Sequence, residues 1–277
     1  MLAYFGKDRA KSITADRIKG YIARRQEEGA APATINRELA ALKRTFNLAL
    51  QAEKIISKPH ISLLTENNVR TGFFEYAEFT TVRDALPPFL QPIATFAYYT
   101  GWRKAEILTL QWRQVNLDAA EVRLDPGTTK NGKGRVIYLD GELLDAMKEQ
   151  RAFVLNLQRE RGKIIPWVFT NPDTGERVGS FRGSWDKACV AAGVKGRLFH
   201  DFRRSTVRNM VRAGVPEVVA MGFSGHETRS VFDRYNIVSE EDLRVAARRV
   251  STLPAKDRDN IGTVRPIPSP IAPSKKS

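Results

Sequence analysis

The sequence predicts a mainly α-helical protein with one small antiparallel β-sheet, an α+β class. Three observations lead there. Apolar residues recur at helical spacing along most of the 277 positions. Only two short runs, 122–124 and 136–139, have strand composition. Asn131-Gly132 lies between them, a dipeptide suited to a tight hairpin because both positions tolerate positive φ. Apolar content of 42% is ordinary for a folded chain, and the length suffices for two modest cores.

Taken in order, residues 14–54 read as two helices. Ile18, Tyr21 and Ile22 share a face of the first, which ends at Gly29, a residue suited to a left-handed cap. Pro32 and Thr34 start the second, with Leu39, Leu42, Phe46 and Leu50 as its apolar stripe. Arg37, Lys43 and Arg44 lie on its other side. Lys58-Pro59 is expected to stop it, and 65–68 reads as a linker. Beyond the linker, 79–99 is helical with a break at Pro87-Pro88, and 106–111 continues as helix after a turn at Gly101. Helices are expected again at 143–159, 180–192, 199–213 and 216–221. Ser239 and the acidic residues after it would cap a last helix carrying Leu243, Ala246, Ala247 and Val250. The remainder is rich in Pro, Ser and Lys without periodicity, so a disordered tail is expected. The expected division is 1–70, a helical domain whose completeness at the N-terminus stays open, then a larger 71–253 and a tail over 254–277.

Charge narrows the function. Forty-five Lys and Arg against 31 Asp and Glu leave +14, which favours a polyanionic partner because neutralised phosphates release counterions. A membrane is excluded by pattern: the most apolar stretch, 89–99, contains Gln91 and Pro92 and falls short of the ~20 residues a span needs. The single cysteine, Cys189, excludes a disulfide framework and a cysteine-based zinc site, and its spacing with Trp185, Ala188 and Ala192 suits packing. The expected compartment is a reducing cytoplasm, with no secretory signal at the start.

Six side chains carry the chemistry: Arg103, Lys130, His200, Arg203, His226 and Tyr235. Two guanidiniums, two imidazoles, an ammonium and a phenol suit a phosphodiester under attack better than a metal. No metal and no cofactor is expected. Glu106 stands one turn beyond Arg103 and can orient it. Taken singly, each has an ordinary reading: Tyr235 as a half-buried aromatic with a wet hydroxyl, His200 and Arg203 as surface or capping residues, Lys130 as a solvated turn lysine.

Together these residues resemble the tyrosine recombinases, or phage-type integrases. The likeness rests on Thr100-Gly101-x-Arg103-x-x-Glu106, on His200-x-x-Arg203, on Gly225-His226, and on Arg234-Tyr235 nine residues beyond His226. Lys130 matches the hairpin lysine of that family. The match covers about 5–250. It implies a helical DNA-clamping domain followed by a catalytic domain that cuts and rejoins double-stranded DNA at specific sites. In that scheme Arg103 and Arg203 clamp the non-bridging oxygens and His226 donates a further hydrogen bond. Tyr235 attacks phosphorus, giving a 3′-phosphotyrosyl link without metal or ATP. His200 serves as base and Lys130 as acid, with Lys133 and Arg135 as nearby rivals to Lys130. Arg37, Lys43 and Arg44 are expected to contact the DNA backbone, and a homotetramer on two DNA sites is implied.

Two features depart from the pattern. The chain starts almost at the clamping helices, without the additional domain for accessory sites that phage-type members often carry; this leaves open a simple recombinase, a truncated product or a degraded element. Gly222-Phe223-Ser224 also precedes Gly225-His226 where an apolar residue is usual, which threatens to displace the imidazole. Two other functions compete: DNA relaxation of the type IB topoisomerase kind, and a catalytically silent DNA-binding regulator.

Overall fold

The computed structural model describes residues 1–66, 72–127, 134–226, 228–233, 243–244, 247–248 and 251–252. The chain divides into two compact units, Met1–Arg70 and Thr71–Ser277.

In the first unit a helical turn, α1 (Leu2–Phe5), precedes α2 (Ala15–Glu27) and α3 (Pro32–Gln51). Thr14 caps α2 by accepting the Arg17 N–H, and Gly29 closes it at a φ of 75°. Pro32 starts α3, where a missing N–H costs nothing. Ile18, Tyr21, Ile35, Leu39, Leu42 and Phe46 form the core with Phe5 and Ile61. Tyr21 donates from that core to Glu38, which also takes Arg25. Burial and the Glu38 bond push its phenol up to about 12. Two expectations need correction. Leu50 is 37% exposed, and α3 ends at Gln51, before Lys58-Pro59. The reason is local: Glu53 turns left-handed at a φ of 55°, and Lys58 folds back to donate to Asn47. Arg37, Lys43 and Arg44 are all exposed, and Lys43 and Arg44 border a shallow hollow with Asn47, Leu48 and Gln51.

The second unit opens with α4 (Tyr76–Asp84), a short turn at Pro88–Leu90, α5 (Gln91–Thr100) and α6 (Lys104–Leu108). Three antiparallel strands come next, in spatial order β1 (Val115–Asn116), β2 (Glu121–Leu124), β3 (Arg135–Tyr138). Val122 faces Ile137 across the β2–β3 ladder, and both are buried. The two-residue β1 escaped the sequence pattern because two residues carry no alternation. Then come α7 (Gly141–Arg161), α8 (Arg182–Ala191), α9 (Asp201–Arg212), α10 (Glu217–Ser224) and α11 (Arg229–Asp233). The core is aromatic: Phe79 stacks on Tyr98 with centroids 4.0 Å apart, and Phe202 meets Phe74, Trp185 and Phe199. Cys189 is buried there, and burial pushes its thiol up to about 11. Helix thus dominates around one small antiparallel sheet, as expected for the α+β class.

Gly101 brings α5 close against α9. At a φ of 62°, a Cβ on Gly101 would be strained and would lie 3.0–3.3 Å from the Thr206 side chain, which would have to give way by a few tenths of an ångström. Thr206 in turn donates to the Tyr98 carbonyl. Among the described residues, no helix is long and apolar enough to cross a membrane. The expected caps at 239–242 and the tail from 254 lie outside the described residues, as does Asn131-Gly132.

Candidate active site

The site is built where two chain reversals, at Gly101 and Gly225, meet the start of α9. Arg103 is the N-cap of α6, one residue after the turn that Gly101 opens. Glu106 reaches back to accept its N–H at 3.0 Å and its Nη1 at 2.9 Å. This fixes the guanidinium through both ends of the residue. Arg203 lies in the first turn of α9, only 2% exposed, and donates from Nη1 to the Gly101 carbonyl at 2.7 Å and to the Ser224 carbonyl. Its Nη2 and the Nη2 of Arg103 both point at the Gly225 carbonyl, at 3.3 and 3.4 Å. Two guanidiniums from distant parts of the sequence therefore share one acceptor.

Gly225 terminates α10 at a φ of 72°, and the chain reverses to bring His226 under Arg203. Arg203 Nε donates to His226 Nε2 at 3.2 Å, so the ring's own N–H is on Nδ1 and goes to Ser224 Oγ at 2.7 Å. Ser224 Oγ then donates to the Ala220 carbonyl at 2.6 Å. Burial, and next to it the charges of Arg203 and Arg103, push the His226 pKa down to about 3. The imidazole is neutral at physiological pH. Gly222, Phe223 and Ser224 do not displace it: they form the last turn of α10, and Ser224 becomes its hydrogen-bond partner.

His200 sits at the N-cap of α9, with φ −66° and ψ −18°, rather than inside the helix expected from 199. Its residue surface is exposed, yet desolvation of the ring and then the Arg203 charge hold its pKa below the usual value. Phe199 anchors this corner against Phe181 and Trp185, both with ring centroids 5.3 Å away. Phe232 of α11 is fully buried with Val207 and Ala220, and meets the His226 ring edge-on at 5.8 Å.

Arg135 is a correction. Sequence reasoning places it beside Lys130 as a rival proton donor. It is instead 10% exposed, ion-paired through Nη2 with Glu106, and stacked on Trp102 with Cζ 4.5 Å from the ring centroid. A guanidinium held this way does not release a proton to a leaving group. Glu106 is 5% exposed; burial alone would raise its pKa, but the Arg135 charge and then the Arg103 N–H more than offset this and leave it below the usual carboxylate range. The structure thus brings Arg103, Glu106, Arg203 and His226 together, with His200 at the rim. Lys130, Lys133 and Tyr235 lie outside the described residues. Sequence reasoning misses Ser224 and the burial of Arg135; the only signal was an arginine at the start of an apolar strand. Among the described residues, no three His, Cys, Asp or Glu side chains gather as a metal site would need.

Two consequences can be measured. Replacing Gly225 with alanine should cripple this corner. The new Cβ would collide with Arg135 Nη1 and lie 2.9 Å from its Cζ, at a φ that costs an L-residue about 1–2 kcal/mol by itself. The expected result is a lower melting temperature and loss of the Arg135–Glu106 geometry, read by thermal unfolding. The second concerns pH. His226 binds a proton more weakly folded than unfolded, so its contribution to stability is complete above the ordinary histidine pKa and is lost as pH falls toward about 3. Across that window the loss approaches about 1.4 kcal/mol per pH unit. Denaturant unfolding at pH 7.5 and 5.5 should show a larger acid loss in the wild type than in His226→Asn.

Comparison with known proteins fits this geometry. A model of the family described as "Phage integrase family" matches residues 74–242. The chain belongs to that family, and its resemblance to the tyrosine recombinases is thereby borne out. It is 24% identical to the integrase of Salmonella phage P22 over 81% of this chain and 59% of that protein. It is 24% identical to the ICEBs1 integrase of Bacillus subtilis (strain 168) over 84% of this chain and 69% of that protein. The chain therefore spans less than two thirds of the P22 integrase's length. A solved structure of the Tn1549 transposon integrase in complex with a circular intermediate DNA shares the fold, with a TM-score of 0.70, 15% identity and 90% of each chain covered.

Proposed function

We propose that this protein is a site-specific recombinase that cleaves and rejoins double-stranded DNA, integrating or excising a phage or other mobile element. The observation that carries this reading is the convergence of Arg103 and Arg203 on the single Gly225 carbonyl, with His226 locked beneath them. A phosphodiester under attack gains charge on its non-bridging oxygens, and paired guanidiniums stabilise that charge without titrating. The similar P22 and ICEBs1 proteins are named integrases, and the similar Tn1549 integrase was solved with DNA, which supports the same substrate here.

Within this reading Tyr235 attacks phosphorus and keeps the bond energy in a 3′-phosphotyrosyl ester, so rejoining needs neither metal nor ATP. His200, whose pKa its surroundings lower, takes the phenolic proton. Lys130 supplies a proton to the departing 5′-oxygen. As it stands, His226 orients Arg203; donating to the phosphate requires a proton on Nε2, which an adjacent anion favours. Residues 1–70 clamp DNA, with the exposed Arg37, Lys43 and Arg44 against its backbone, while 71–253 carry the chemistry. Four protomers act on two duplexes in the cytoplasm.

The test is a denaturant-resistant protein–DNA adduct formed on nicked candidate-site DNA. Tyr235→Phe should abolish the adduct and leave binding near wild type, and a chelator should have no effect. Relaxation of plasmids of random sequence by a monomer would contradict site-specific recombination, as would an adduct that survives Tyr235→Phe.

A further inference from the structure

We propose that Arg135 is a positioning residue of the reaction centre, one that holds both clamp arginines in a single register. The inference rests on the cleavage reading and goes beyond it, because Arg135 belongs to β3 and touches no reacting atom. Three guanidiniums, those of Arg103, Arg135 and Arg203, are joined pairwise by three shared acceptors. Arg103 and Arg135 share the Glu106 carboxylate. Arg135 and Arg203 share the Ser224 carbonyl, with Arg135 Nη1 at 3.3 Å. Arg103 and Arg203 share the Gly225 carbonyl. Arg135 therefore ties, from β3, the carboxylate that aims Arg103 to the Ser224 carbonyl at the turn presenting His226.

Its own freedom is small. Trp102 covers one face of the guanidinium, and the missing side chain of Gly225 makes the room that Arg135 Nη1 occupies. Gathering three guanidiniums, two of them on one carboxylate, is unfavourable for folding by itself, since like charges repel in a dry site. Such an arrangement suits an anion arriving between the two clamp arginines, with the third fixing their separation. In the sequence β3 begins five residues after Lys130, so a strand out of place would release Glu106 and Ser224 together. Docking of that strand and assembly of the clamp become one event.

The test compares Arg135→Gln and Arg135→Lys with the wild type in single-turnover adduct formation on nicked DNA. One substrate has an ordinary phosphodiester at the cut. The other has a methylphosphonate there, in which a methyl group replaces a non-bridging oxygen and removes the negative charge. Thermal unfolding and DNA affinity are measured alongside. Arg135→Gln should slow the phosphodiester reaction about 100-fold, and this deficit should shrink to about fivefold or less on the methylphosphonate, where less charge needs clamping. Arg135→Lys, which keeps the charge but not the fork, should fall between. Equal slowing on both substrates would make Arg135 a general structural residue and overturn the proposal. So would unfolding of both variants, or wild-type rates in both. A wild-type protein that forms no adduct on either DNA would instead remove the cleavage reading itself, and the role of Arg135 with it.

Discussion

Arg203→Lys is expected to slow strand cleavage by about a thousandfold or more, the range found when an arginine that stabilises a phosphoryl transition state is lost. The geometry explains why charge alone is insufficient. Arg203 serves four acceptors at once: the Gly101, Ser224 and Gly225 carbonyls and His226 Nε2. An ammonium offers three donors from one point and cannot span that fork. With Arg203 only 2% exposed, the Gly101 carbonyl and His226 Nε2 would lose this donor in a buried setting, at a cost of about 1–3 kcal/mol for each group left unmet, while the Ser224 and Gly225 carbonyls keep Arg135 and Arg103. Lysine should therefore lose activity and stability together, while DNA affinity, carried by many backbone contacts, falls little. Single-turnover adduct formation, denaturant unfolding and a mobility-shift titration separate these effects. A variant with wild-type cleavage would show that Arg203 is not part of the clamp.

Glu106→Gln should produce the largest stability loss of any conservative change in the site. Glu106 is the carboxylate to which both Arg103 and Arg135 are ion-paired, and it is 5% exposed. Neutralising it leaves two close guanidiniums facing an amide, one of whose ends is itself a donor. Removing one partner of a buried pair costs about 3–5 kcal/mol. The partial exposure of Arg103 lowers that figure toward its lower end, because solvent screens the freed charge. Cleavage should fall with it, since the amide keeps one acceptor oxygen where the Arg103 N–H and Nη1 now use two. Denaturant unfolding reads the first effect; a loss below about 1 kcal/mol would mean that water already screens the pair.

Much of the chemistry is legible in the sequence because it depends on residue type and order. Arg103, Glu106, Arg203 and His226 stand out by spacing and by a family likeness, and they meet in space. The α3 stripe of Leu39, Leu42 and Phe46 is equally readable, since 3.6-residue periodicity is a direct consequence of burying one face. What is not legible lies at element ends and across long sequence separations. Leu50 satisfies the period but lies in the last turn of α3, where it stays 37% exposed. His200 reads as helical, yet it occupies the cap, because Asp201 accepts the Leu198 N–H and starts the helix one residue later. Arg135 is hidden because its partners, Glu106 and Ser224, lie on either side of it in sequence and meet it only through the fold. Gly222 to Ser224 read as a disturbance; the last turn of α10 absorbs them and gives His226 a partner.

The proposed function turns on one chemical event: transfer of a DNA phosphate to the Tyr235 phenol. The direct measurement is to trap the complex on cleaved DNA, digest both components and sequence the joined peptide and nucleotide. The result expected is a 3′-phosphate esterified to the Tyr235 hydroxyl, with a free 5′-hydroxyl on the other side of the break. A 5′-linkage, attachment to another side chain, or a strand break joined to no protein would contradict it.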